Sequence, residues 1–296
     1  MLKPGYDLQF YPTATPFLRK MRPLLETSEA RHGLMLGLAL RVEQQPHYYG
    51  DGDPYFAIVE KSGEQKAGGI VAAALMTPPY GVVLYYESED ETAALEAIAH
   101  NLYADGHALP TVQGPVASSA YFAKFWCQLT GKISTIDSET RAFELREVIH
   151  PTYSPGHLRL ATEDDYDLAF QWLHEFGVEA MSMEGQSEKE ARRAAVQRLR
   201  DGMLFFWENE EPVSMAGLTR PTARGISIGP VYTPPDQRGH GYASSAVARL
   251  SQDMLDTGKE FCALFTDLAN PTSNSIYQKI GYRPVGDFNV YRFGNK

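Results

Sequence analysis

The stretch Val231-Tyr232-Thr233-Pro234-Pro235-Asp236-Gln237-Arg238-Gly239-His240-Gly241-Tyr242-Ala243-Ser244 decides how the rest of the chain is read. Upstream of it, Gly225-Ile226-Ser227-Ile228 alternates small and apolar residues as a buried strand does. Downstream, Ala243, Ala246, Val247, Leu250 and Met254 recur at three- and four-residue steps, which marks one face of an amphipathic helix. Arg238 to Ala243 therefore lie on the turn from a strand into a helix N-terminus. The first N–H groups of a helix have no partner inside it, and the peptide dipoles add partial positive charge there. Glycine at 239 and 241 carries no Cβ to hold an anion away, and Arg238 adds a guanidinium fork suited to phosphate. The combination reads as a cradle for an anion, a pyrophosphate above all. No Gly-Lys-Ser/Thr follows, so the loop is not a nucleotide P-loop. The third glycine of a dinucleotide fingerprint is also missing, and the motif comes late in the chain.

Arg238-x-x-Gly241-x-Ala243, preceded by a strand ending Val231-Tyr232, resembles the acetyl-CoA pyrophosphate loop of the GNAT superfamily of N-acetyltransferases. A second match lies downstream, in Asn270-Pro271-Thr272-Ser273-Asn274-Ser275-Ile276-Tyr277-Gln278-Lys279-Ile280-Gly281-Tyr282. It is similar to the family's penultimate helix, whose tyrosine sits near the thioester sulfur. On its own residues this segment also reads as a capped helix, with Asn270 at the N-cap, Pro271 at the first position and Gly281 as the stop. Two motifs in the right order and one strand apart are far more specific than a lone Gly-x-Gly.

The resemblance covers roughly the C-terminal half and implies acetyl-CoA as co-substrate, lying between strands expected at 224–232 and 261–266. Gly229-Pro230 suits a bulge or a point where ladder pairing stops. Backbone groups of Val231, Tyr232 and Thr233 are then expected to hold the pantetheine. The N–H groups of Arg238, Gly239, His240, Gly241, Tyr242, Ala243 and Ser244 would hold the pyrophosphate. Asn270 and Asn274 would face the pantetheine arm, the Val231 N–H would polarise the carbonyl, and Tyr277 would be the proton donor. The reaction implied is direct attack by an amine on the thioester. Many relatives carry a glutamate on the central strand, but Gly225 to Gly229 holds no carboxylate. Glu184, in a loop between two helices, or a water is the candidate base, and an amine that is already neutral would need none. Two other readings share the loop: a non-catalytic acyl-CoA-binding module, and transfer of a longer acyl group.

At 296 residues the chain is long for one domain and comfortable for two. The formal charge of -10 argues against nucleic acid, whose phosphates demand a basic surface. No apolar run reaches the ~20 residues of a membrane helix, and the first residues carry no signal-peptide pattern. Cys127 and Cys262 are too few for a disulfide framework or a zinc site, so no metal is expected and the cytoplasm is the expected setting.

Pattern reading places helices at 13–26, 28–44, 90–105 and 118–130 in the first half, with strands near 6–12, 55–60, 69–76, 81–86 and 109–112. Two further strands are expected between Ile133 and Val148. The Pro- and Gly-marked run from His150 to His157 reads as a linker. Capping boxes at Thr162-x-x-Asp165 and Ser187-x-x-Glu190 open the next helices. Strands at 203–208, 212–219, 224–232 and 261–266 follow, and a pair at 282–287 and 288–293 closes the chain. The halves look like a divergent internal duplication: Tyr55 to Glu60 resembles Leu204 to Glu208, and Ala120 to Gly131 resembles Ser275 to Gly281. The expected fold is α/β (an α+β mixed sheet) in two GNAT-like domains, 1–150 and 151–296. Each would be a mixed, mostly antiparallel sheet flanked by helices. The first is expected to be degenerate, because its corresponding loop, Glu87-Ser88-Glu89-Asp90-Glu91, offers carboxylates and no glycine to a phosphate.

Overall fold

A computed structural model describes residues 5–61, 69–86, 92–180 and 187–295. Two compact units form, one of Met1–Arg141 with Gly286–Lys296 and one of Ala142–Val285. The expected division at 150/151 differs from this at both ends, because the last eleven residues go to the first unit.

The elements run β1 (Tyr6–Phe10), α1 (Ala14–Leu25), α2 (Glu29–Gln44), β2 (Tyr55–Lys61), β3 (Ile70–Met76), β4 (Val82–Tyr86), α3 (Thr92–Ala104), β5 (Thr111–Pro115), α4 (Val116–Thr130) and β6 (Ile133–Leu145). The same succession then repeats as β7 (His157–Leu160), α5 (Tyr166–Ala180), α6 (Glu188–Arg200), β8 (Leu204–Asn209), β9 (Glu211–Thr219), β10 (Gly225–Tyr232), α7 (Tyr242–Asp256), β11 (Phe261–Asp267), α8 (Pro271–Ile280) and β12 (Arg283–Gly294). Pairing repeats as well. In the first unit β1 to β4 form antiparallel neighbours and β4 pairs parallel with β5. In the second, β7 to β10 are antiparallel neighbours and β10 pairs parallel with β11.

Each sheet is covered on both faces, which explains its runs of buried apolar residues where a one-sided sheet would alternate. In the first unit, Phe17, Met21, Leu25 and Leu36 of α1 and α2 pack on one face with Phe56 and Ile58. Leu95, Ile98, Phe122 and Trp126 of α3 and α4 cover the other with Ala57 and Val59. In the second unit, α5 and α6 bring Trp172, Leu173 and Ala195 onto Phe206, Met215 and Tyr232. From α7 and α8, Val247, Leu250, Tyr277 and Ile280 pack on Ile226, Ile228, Cys262 and Leu264.

Local chemistry sets the helix ends. Both capping boxes form: Thr162 with Asp165 at a short 3-10 turn before α5, and Ser187 with Glu190 at the start of α6. Two expectations are corrected. The pair of strands sought between Ile133 and Val148 is the single strand β6, and the pair at the C-terminus is the single strand β12. Polar residues within β6 and β12, which are neighbours in the sheet, pair with each other. Asp287 receives a two-pronged contact from Arg141 at 2.6 and 2.7 Å, and Asp137 accepts from Arg292 at 2.8 Å. Within the first unit β12 pairs antiparallel with β5, from Phe288 opposite Pro115 to Arg292 opposite Thr111.

Candidate functional site

The site is built where β10 leaves β11. Parallel pairing is registered at Gly225, Ile226 and Ser227 against Phe261, Cys262 and Ala263. Among the described residues it goes no further, although β10 continues to Tyr232 and β11 to Asp267. On the other side, the register between β10 and β9 slips between Ile228 and Val231. Gly229, at φ +148°, and Pro230, which has no N–H, occupy the slip, as their chemistry favours. Gly217 on β9 makes the slip possible: a Cβ there would lie 3.0 Å from both the Gly229 oxygen and Pro230 Cδ. A residue that the sequence pattern does not single out secures it. Arg198 of α6 donates from Nη1 to the carbonyls of Leu218, at 2.8 Å, and Gly229, at 3.4 Å. The slip turns Val231 toward the α7/α8 core and Tyr232 toward the α5/α6 core.

Tyr232 donates its hydroxyl to Glu175 at 2.9 Å, and burial together with that carboxylate pushes its pKa up to about 12. Thr233 shares a 2.9 Å hydroxyl contact with Ser214. A 3-10 turn at Pro235–Gln237 then leads into the loop, where Gly239 and Gly241 sit at φ +82° and +80°. These left-handed conformations are the reason for glycine there. Gly241 is the N-cap of α7. Among the described residues, the backbone N–H groups of Gly239, His240, Gly241, Tyr242, Ala243 and Ser244 donate to no protein acceptor. Gly239 to Gly241 are exposed and Tyr242 to Ser244 half-buried, so solvent reaches the helix start. Six successive N–H groups at a dipole's positive end are an arrangement that favours a nearby anion.

Arg238 differs from the simple expectation of a cation facing phosphate. Its Nη2 meets both oxygens of Glu179 at 2.7 and 2.8 Å, and its Nε donates to the Thr233 carbonyl at 2.9 Å. The guanidinium therefore fixes the strand end to α5, and its charge is partly offset by the Glu179 carboxylate.

The far wall is α8. Asn270 caps it, accepting from the Ser273 N–H at 3.0 Å. Asn274 donates its Nδ2 to the carbonyls of Asp267 and Asn270 at 2.9 and 2.8 Å, which ties α8 to the end of β11. With its nitrogen fixed in this way, Asn274 keeps a buried Oδ1 with no partner among the described residues. Tyr277 is buried in the α7/α8 core, edge-on to Tyr282, and burial pushes its pKa up to about 12. Glu184, the candidate base, lies outside the described residues.

Residues 163–282 match the model of the Acetyltransferase (GNAT) family. They form a GNAT-family domain. This GNAT domain contains every site position considered above. No curated protein sequence matches the chain. Solved structures similar in fold include a GCN5-related N-acetyltransferase from Sphaerobacter thermophilus, at 15% identity and TM-score 0.65, covering 99% of this chain and 96% of that one. A GNAT-family acetyltransferase from Colwellia psychrerythraea aligns over 98% of this chain and 100% of that one, at 10% identity and TM-score 0.57. A tandem GNAT protein from the clavulanic acid biosynthesis pathway covers 97% and 98%, at 12% identity and TM-score 0.58. At such identities the likeness is one of fold, and it extends over both units.

In this GNAT domain the sequence reading missed Arg198, Glu175 and Glu179. Each is an ordinary polar residue on a helix, and only packing brings it to the strand that opens. No helix among the described residues is long and apolar enough to cross a membrane.

Proposed function

We propose that the Ala142–Val285 unit transfers the acetyl group of acetyl-CoA to an amine by direct attack on the thioester. The observation that carries this reading is a junction: a strand pair whose pairing stops leads into a helix start with six amides that have no acceptor among the described residues. The first provides backbone groups for an amide-bearing arm, and the second a seat for a pyrophosphate. Val231, Tyr232 and Thr233 take the pantetheine arm on one side, with Asn270 and Asn274 on the other. The amides from Gly239 to Ser244 take the phosphates; the Arg238 N–H, expected among them, donates instead to the Pro235 carbonyl at 3.4 Å.

A C–N bond forms and the C–S bond breaks, while the amine loses one proton and the sulfur gains one. The Val231 N–H donates to the carbonyl oxygen as charge develops there. Tyr277 stays protonated at neutral pH and donates a hydrogen bond to the departing sulfur. Tyr277 passes its proton to the sulfur as the C–S bond breaks and regains one from the amine, directly or through water, so the proton count closes.

The first unit is assigned no cofactor. Phe122, which the repeat sets against Tyr277, is buried in the core of that unit and has no hydroxyl to donate. A cytoplasmic setting and an acceptor other than nucleic acid are part of the same proposal, in keeping with the -10 formal charge.

The test is release of free thiol from acetyl-CoA against a panel of amines, amino acids and peptides, run beside Gly241→Asp. Amine-dependent release is expected in the wild type. The aspartate variant should lose acetyl-CoA binding by calorimetry, because it places a carboxylate among the amides and a side chain at φ +80°. Stoichiometric binding without release would replace the enzyme with an acyl-CoA-binding module. Comparing acetyl-, succinyl- and longer acyl-CoA turnover would identify a larger acyl group. Undiminished binding by the Gly241 variant would sink the cradle.

A further inference from the structure

We propose that Ser154, in the segment that precedes β7, is a positioning residue that braces the diphosphate loop of the same unit; this rests on the acetyl-CoA reading above. The segment from His150 to Gly156 has linker composition, yet it is pinned to the core at several points. Tyr153 stacks on Trp207 with ring centroids 6.2 Å apart and planes 10° apart, and His150 Nδ1 lies 2.9 Å from its hydroxyl. The buried Trp207 donates its indole N–H to the Pro155 carbonyl at 3.0 Å. Gly156, at φ +116°, passes so close to β8 that a Cβ would sit 2.8 Å from the Trp207 indole nitrogen. Ser154 is thus held in place by its neighbours on both sides.

From that post Ser154 reaches the loop twice. Its hydroxyl donates to the His240 carbonyl at 2.7 Å, and its N–H donates to Ser245 Oγ at 2.9 Å. A peptide unit is planar and trans, so the C=O of His240 and the N–H of Gly241 point in opposite directions. Holding the carbonyl toward Ser154 turns the Gly241 N–H away from Ser154, toward the open side of the loop. The loop has two residues at positive φ and few bonds of its own, so without the brace this peptide can rotate. Gly241 also leaves the room the hydroxyl needs, since a Cβ there would come within 2.8 Å of Ser154 Oγ. Preorganising a donor before the ligand arrives saves the ordering that would otherwise weaken binding.

The experiment compares Ser154→Ala and Ser154→Thr with wild type, all shown to have the same thermal midpoint. Acetyl-CoA affinity is measured by calorimetry, and turnover with acetyl-CoA is set against turnover with acetyl-pantetheine, which has no diphosphate. Ser154→Ala should bind acetyl-CoA roughly five- to tenfold more weakly, the scale of one net hydrogen bond. Its kcat/KM for acetyl-CoA should fall by the same factor relative to that for acetyl-pantetheine. Ser154→Thr, which keeps the hydroxyl, should restore most of the difference. Affinity unchanged in Ser154→Ala, or an equal loss with acetyl-pantetheine, would overturn the brace while leaving the acetyltransferase reading intact. Failure of the wild type to bind acetyl-CoA would overturn both.

Discussion

Single residues divide here between those whose chemistry is visible in their type and those whose place is given by packing. Tyr277 is of the first kind. Replacing it with Phe removes the hydrogen bond to the leaving sulfur while keeping the ring that packs against Tyr282. We expect kcat to fall about tenfold to a hundredfold, with acetyl-CoA affinity within about twofold by calorimetry. A variant with full activity would remove the tyrosine from the mechanism. Arg198 is of the second kind. It reaches from α6 to the two carbonyls where β9 and β10 lose register. Arg198→Met keeps much of the volume but leaves those carbonyls without the guanidinium, and the slip that presents Val231 loosens. A roughly tenfold lower kcat is expected, equivalent to about 1.4 kcal/mol, with little change in acetyl-CoA affinity. If affinity fell and kcat did not, Arg198 would belong to cofactor binding instead.

At the scale of elements, helix starts carried the clearest signals in the sequence, because a cap is a contact between residues three apart. Thr162 and Asp165 illustrate this, and Asp165 also anchors Arg159, itself paired with Glu208. The Arg159 guanidinium, followed by the Thr162 donors, lowers the Asp165 pKa to about 2 from an ordinary value of 3.8. A carboxylate whose folded pKa is depressed stabilises the fold above its unfolded pKa. That contribution is lost as pH falls from about 4 through about 2. Asp165→Asn should therefore lower stability by up to about 2 kcal/mol at pH 7, and by little near pH 2. Denaturant unfolding at the two pH values would show the difference; an equal loss at both would mean the effect is not ionic. Strand ends were less legible. Gly286-Asp287 has the composition of a turn, but Asp287 faces Arg141 across a ladder and the strand runs straight through. A turn and a cross-strand ion pair use the same residue types, and only the partner distinguishes them.

For the molecule as a whole, the repeated order of strands and helices was readable from periodicity, since each half independently alternates its buried faces. Chain proximity did not predict which residues complete each unit. Phe293, three residues from the C-terminus, packs on Trp126 in the core of the first unit, and its strand pairs with β5. Phe293→Ala should cost about 3 kcal/mol through the cavity it leaves. In native-state hydrogen exchange, amides of β5 should lose protection while those of β8 and β9 keep theirs. Equal loss in all three strands would mean that the two units unfold as one.

The sequence alone determined whatever depends on neighbours a few positions apart: the glycines that admit positive φ, the capping residues, the helix face from Ala243 to Met254, and the two motifs placed one strand apart. Local sterics and i, i+3 or i, i+4 contacts act within a single turn, so they leave a local record. Tertiary structure decided the rest. It paired Arg238 with Glu179, set Arg198 beneath the slipped strand, set Ser154 against His240, and gave the last strand to the first unit. Each of these joins residues far apart in the chain through hydrogen bonds that any donor and acceptor could make, so residue type carries no trace of the partner.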